Sequence, residues 1–154
     1  MQNQKVEIRR KIEDDLKYWK KTWGGSMAAK VVGARRVGKS YAVKRFVERE
    51  YKSYLLLDFS NVDDKIKRLF YDQATDLDAF FVMLQTLTNV RLYERESVIV
   101  FDEVQLFPRA RALIKYLVAD GRYDYIETGS LMSIRENTKD ILIPSEEYEI
   151  EMFP

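Results

Sequence analysis

Eight consecutive residues, Gly33-Ala34-Arg35-Arg36-Val37-Gly38-Lys39-Ser40, carry the strongest chemical signal in the chain. They match G-x-x-x-x-G-K-[ST], the pattern of a loop that cradles the phosphates of a nucleoside triphosphate. Gly33 and Gly38 let the backbone turn its N–H groups inward toward phosphate oxygens. Lys39 places a point charge on the outer phosphates, and Ser40 offers a hydroxyl ligand to Mg²⁺. A helix opening at this point adds the positive end of its dipole. The expected nucleotide-binding set therefore runs through Gly33, Ala34, Arg35, Arg36, Val37, Gly38, Lys39, Ser40 and Tyr41. Arg35 and Arg36 either add charge near a phosphate, face solvent or contact a neighbouring subunit.

A second constellation completes the chemistry. Val98-Ile99-Val100-Phe101 is an apolar run that ends in two carboxylates, Asp102-Glu103. A buried strand of this kind delivers Asp102 beside Ser40, where it would hold Mg²⁺ through water. Glu103, the next residue, would polarise the water that attacks the γ-phosphate. The chain has no His, so the general base must be a carboxylate. A glutamate at this tip also favours the NTPases that insert an extra strand between the loop strand and the acidic strand. A polar residue at the end of that inserted strand can sense the γ-phosphate. Thr128 and Ser130, in Ile126-Glu127-Thr128-Gly129-Ser130, are both candidates, and the sequence does not choose between them. Gln105 and Asp58 lie near the expected site edge, with structural roles as the simpler reading. Arg109, Arg111 and Arg122 are candidates for a charge donated to a neighbouring subunit's site.

Composition narrows the alternatives. There is no Cys and no His, which removes disulfides, thiol nucleophiles and Cys/His zinc sites. The formal net charge is +1, so no global field argues for nucleic acid. Basic residues concentrate between Lys30 and Lys52, and acidic ones between Glu136 and Glu151. No apolar run is long enough for a bilayer, and no secretory signal is visible, so a cytoplasmic protein without a membrane partner is expected.

The elements that must position these groups alternate. Gln4 to Trp23 reads as an amphipathic helix, with Ile8, Ile12, Leu16, Trp19 and Trp23 along one side. Gly24-Gly25-Ser26 ends it. Ala28–Val32 is a short buried strand, and Ser40–Glu50 a helix with Val43, Phe46 and Val47 on one face. Ser53–Phe59 reads as a buried parallel strand. Helices are expected over Val62–Phe70, Leu77–Tyr93 and Arg109–Ala119, and strands over Val98–Phe101, Tyr123–Thr128 and, less regularly, Tyr148–Met152. The Leu77, Phe80, Phe81, Leu84 and Leu87 stripe reads as core. Such alternation predicts an α/β fold of three layers, with a mainly parallel five-stranded sheet between helices and ligands at the strands' carboxyl ends.

With these residues in view, a family resemblance emerges. Gly-Ala-Arg-Arg-Val-Gly-Lys-Ser, Phe-Asp-Glu-Val-Gln-Leu-Phe-Pro, Thr-Gly-Ser-Leu and the closing Glu-Ile-Glu-Met-Phe-Pro occur in that order. The set resembles the ATPase core of the uncharacterised prokaryotic AAA+ superfamily ATPases, from about Trp19 to Pro154. That resemblance implies a P-loop NTPase fold with the inserted strand, Mg²⁺-dependent ATP hydrolysis and a cytoplasmic location. On the motif matches it carries roles to Lys39, Ser40, Asp102 and Glu103, and to the turn containing Thr128 and Ser130. The expected organisation is an N-terminal helix over 1–25 packed on a P-loop ATPase core over 26–154. The resemblance also implies a lid and C-terminal domain beyond residue 154, through which a DNA or protein client would be engaged, and a possible homo-oligomer.

Overall fold

The computed structural model describes residues 2–33, 38–130 and 147–152. Its described elements run α1 (Gln2–Trp23), β1 (Ala28–Gly33), α2 (Lys39–Glu50), β2 (Ser53–Asp58), α3 (Asp64–Asp72), α4 (Leu77–Thr88), β3 (Ser97–Asp102), α5 (Pro108–Asp120), β4 (Asp124–Gly129) and β5 (Glu147–Met152). A 3-10 turn, Val104–Leu106, joins β3 to α5. The strands form one parallel sheet in the order β2-β3-β4-β1-β5.

This order explains where the helices lie. Right-handed crossovers put a helix on one face when the chain moves one way along the sheet and on the other face when it returns. The chain moves from β1 out to β2 through α2, then steps back from β2 to β3 through α3 and α4, and from β3 to β4 through α5. Accordingly α3, α4 and α5 pack on one face with Leu57, Phe101 and Tyr125. The other face carries α1 and α2, with Val31, Val98, Val100 and Ile126 beneath Trp19, Leu16, Phe46 and Val47. The result is the three-layer α/β sandwich that the alternating pattern predicts. β4 stands between the loop strand β1 and the acidic strand β3, as the glutamate at the β3 tip led us to expect.

α1 is tied down by more than its apolar stripe. Trp19 is fully buried and donates its indole N–H to the Met27 carbonyl at 2.9 Å. Lys20 reaches across to the Glu50 carbonyl at 2.6 Å, with its ammonium 4.4 Å from the centre of the Tyr51 ring. On the opposite face, Phe59, Phe70, Phe101 and Phe107 meet edge-on or tilted, with ring centres 5.2–6.0 Å apart. These rings back the β3 tip, where burying each contributes on the order of 1.5–3 kcal/mol.

Three expectations are corrected. α3 begins at Asp64, not Val62, because Asp63 caps it by accepting the Lys65 N–H at 2.8 Å. α4 ends at Thr88, not Tyr93, because Asn89 takes a left-handed conformation at φ 55°. Leu92 is still buried, held from the following loop by its N–H on Gln85 at 2.8 Å. β2 is an edge strand of the described sheet rather than a strand buried on both faces, and Tyr54, Leu56 and Asp58 stay partly exposed.

Candidate nucleotide site

The site sits where the carboxyl ends of β1, β3 and β4 meet the start of α2. β1 and β3 send their helices to opposite faces, and such a divergence opens a crevice at the strand ends. Gly33 is the last residue of β1. Ala34, Arg35, Arg36 and Val37 lie outside the described residues. Gly38 resumes the chain at φ 87°, a left-handed conformation that a side chain would strain, and acts as N-cap of α2 without any side-chain cap. α2 has no acidic residue in its first turn. Its first N–H groups have no partner within the helix, and together with the dipole they favour an anion.

Ser40 and Asp102, far apart in sequence, meet here. Ser40 Oγ donates to Asp102 Oδ1 at 3.1 Å. Thr128, fully buried in β4, also donates its hydroxyl to Asp102 Oδ1, and it accepts the Glu103 N–H at 3.1 Å. One hydroxyl thus fixes both acidic residues. The sheet register accounts for this. Phe101 pairs with Glu127, so the next step along each strand brings Asp102 beside Thr128 on the other face. Ser130 follows the strand, partly exposed, and the structure does not bring it into this set.

Glu103 turns the chain out of β3 in a left-handed conformation, φ 54°, uncommon for a residue with a side chain. Its carboxylate is held on both oxygens. Gln105 donates its amide to Oε2 at 2.6 Å, and Lys39 Nζ lies 3.6 Å from Oε1. Lys39 is only 4% exposed. Gln105 is therefore in direct contact with this carboxylate. Asp58 instead closes its own turn by accepting from the Ser60 N–H at 3.0 Å and hydroxyl at 2.6 Å.

The arginines divide differently from the sequence expectation. Arg111 is 2% exposed and reaches Glu127, itself fully buried, at 3.4 Å, so it cannot serve a neighbouring subunit. The signal was available, because a glutamate inside an otherwise apolar strand demands a cation. Arg122 is bonded to Asp78 and to Asp120. Arg109 donates to the Phe70 carbonyl at 3.1 Å. Tyr41, in the first turn of α2, is exposed, and the guanidinium of Arg9 stands 4.9 Å from its ring centre. Nothing in the sequence marked this contact, for Arg9 lies in a charged helix well ahead of the loop motif.

Hard oxygen donors from Ser40 and Asp102 suit Mg²⁺, which keeps several waters and borrows phosphate oxygens rather than needing a full protein cage. Among the described residues there is no cluster of three or more carboxylates that would suit a metal held by protein alone. An anion-seeking helix start, a buried lysine and a carboxylate–hydroxyl pair thus meet at the strand ends of a P-loop NTPase fold. The chain belongs to the AAA domain family, whose model matches residues 26–154, and it is an AAA-type ATPase domain. No curated protein matches it. Among the described residues no helix is long and apolar enough to cross a membrane.

Proposed function

We propose that this domain binds ATP with Mg²⁺ at the carboxyl end of the sheet and hydrolyses it to ADP and phosphate. The observation that most supports this is the convergence of Ser40, Asp102, Thr128, Glu103 and Lys39 from three separate elements within direct hydrogen-bond or ion-pair reach. Gly33 to Tyr41 would hold the nucleotide, with Ser40 and Asp102 holding Mg²⁺. When bound, that ion would neutralise charge on the β- and γ-phosphates. Lys39 would leave Glu103 for a phosphate oxygen and free Oε1. Gln105, on Oε2, would keep the carboxylate oriented. Glu103 then takes a proton from water as the water oxygen bonds to the γ-phosphorus and the bond to the β–γ bridging oxygen breaks. Thr128 holds Asp102 and the Glu103 backbone in place meanwhile, as a positioning residue.

The wider reading has 1–25 as a helix packed on the 26–154 core. Turnover would drive a C-terminal domain or partner acting on DNA or protein, in a cytoplasmic homo-oligomer whose neighbouring copy supplies arginine. A second reading, a nucleotide-dependent switch with slow turnover, is favoured by one observation. Lys39 and Glu103 occupy each other, so nucleotide must separate them, and that rearrangement could itself be the output. Single-turnover phosphate release from the wild type and Glu103→Gln separates the two. An ATPase loses about 10²-fold or more in the variant; a switch shows nearly equal rates.

A further inference from the structure

The phosphate loop accounts for the triphosphate but leaves the nucleoside without a place. Three observations supply one. First, α1 and α2 run side by side, and between them lies a groove of about 340 Å³ lined by Arg9, Arg10, Glu13, Tyr41, Arg45 and Arg49. That volume lies in the range of small-molecule clefts. Second, one lining residue stands against the start of α2: a Cβ built on Gly38 would lie 3.6 Å from Cγ and Nε of Arg9. Third, Arg9 and Tyr41 form a cation–π pair at the mouth, with Tyr41 53% exposed despite its large ring.

The direction of the phosphate chain points the same way. Ser40 faces Asp102, so the γ end lies toward β3. Tyr41, one residue on, is turned by about 100° around the helix and faces α1 instead. The nucleoside must leave the loop on the side away from β3, which is where Arg9 and Tyr41 stand. Elsewhere along the groove, Glu13 answers the charge of the half-exposed Arg45 at 3.3 Å and Arg49 at 3.9 Å. The end beside Gly38 is therefore planar and π-rich, whereas the rest of the lining is an ion cluster.

We propose that the nucleobase of the bound nucleotide stacks on Arg9 and Tyr41 at the mouth of the α1–α2 groove, so that α1, which precedes the family-matched residues, completes the binding site. A guanidinium plane and a phenol ring both offer faces to a base, and such stacking tolerates different bases. This rests on the nucleotide reading proposed above. It also makes α1 part of the ligand-binding unit rather than only a cover for the sheet.

The test is calorimetric titration of the 154-residue chain with ATP, ADP and inorganic tripolyphosphate in Mg²⁺. The variants are Arg9→Ala, Tyr41→Ala, Tyr41→Phe and Lys39→Ala, each first checked for native melting. Arg9→Ala and Tyr41→Ala should weaken ATP and ADP by tenfold or more and leave tripolyphosphate within about twofold. Tyr41→Phe should bind like wild type, while Lys39→Ala should weaken tripolyphosphate and ATP alike. Unchanged ATP affinity in Arg9→Ala and Tyr41→Ala overturns the proposal while leaving the phosphate site standing. Equal loss of tripolyphosphate in Arg9→Ala also overturns it, since Arg9 would then be a phosphate cation. If wild type binds none of the three, the nucleotide reading fails, and this inference with it.

Discussion

Replacing Thr128 with Val removes a single buried oxygen and keeps nearly the same volume. That oxygen donates to Asp102 and accepts the Glu103 N–H at 3.1 Å. A net hydrogen bond to a charged group contributes about 1.5–3 kcal/mol and a neutral one about 0.5–1.5. Asp102 and Glu103 are only partly buried, so water can re-solvate some of what is lost. The lower end of the summed range, about 2 kcal/mol, is therefore expected. For a domain of this size that lowers the melting temperature by about 4–8 °C. The same hydroxyl locates both acidic groups of the proposed reaction. Losing about 1.4 kcal/mol of placement in the transition state costs tenfold in rate. Thr128→Val should thus lower kcat at least tenfold with KM within about threefold, and Thr128→Ser should restore most of both. Calorimetric melting and steady-state phosphate release measure the two effects. A Thr128→Val protein with unchanged melting and kcat within twofold of wild type would refute the argument that this hydroxyl organises the β3 tip.

Two further outcomes follow from groups away from the site. Arg111→Met removes one ion-pair partner of the buried Glu127 carboxylate and should cost about 1.5–3 kcal/mol in urea unfolding, while an unchanged unfolding curve would show that the pair contributes nothing net. Tyr51 donates to Asp124 at 2.6 Å, and burial first, then the Asp124 charge and hydrogen bond, push its phenol well above the ordinary value of 10.0. The folded state then keeps a proton that the unfolded chain gives up, so this contribution is intact below about pH 10 and erodes as pH rises above it. Tyr51→Phe should flatten the fall in unfolding free energy between about pH 9 and 11 and cost about 1–3 kcal/mol at neutral pH.

The features legible in the sequence were those whose spacing is local. The loop motif needs eight consecutive residues after a strand, and the acidic pair needs only an apolar run before it. Those two segments, with the alternation of elements, were enough to anticipate the three layers, the parallel sheet and the inserted β4. The illegible features depended on register or on contacts between distant segments. Thr128 and Ser130 looked equivalent because both lie near the end of one strand. Only the pairing of Phe101 with Glu127 shows which of them adjoins Asp102. α4 was overextended because Leu92 continues the helical stripe, although Asn89 carried the stop signal. The consecutive leucines of β2 concealed an edge strand, because an unbroken apolar run hides the alternation that would mark one face as open. Arg111 looked like a surface arginine until its partner on β4 was placed beside it.

The central claim, that the loop from Gly33 to Ser40 and the β3 tip form one Mg²⁺–ATP site, is tested most directly by thermal melting. The wild type and Lys39→Ala would be compared with ATP and ADP, with and without Mg²⁺. At a ligand concentration a hundredfold above the dissociation constant, the wild type should gain about 2.7 kcal/mol. That corresponds to about 5–11 °C for a domain of this size. The gain with ATP should depend on Mg²⁺ and vanish in Lys39→Ala. Equal shifts in the two proteins, or no shift in the wild type at saturating ATP and Mg²⁺, would contradict the account.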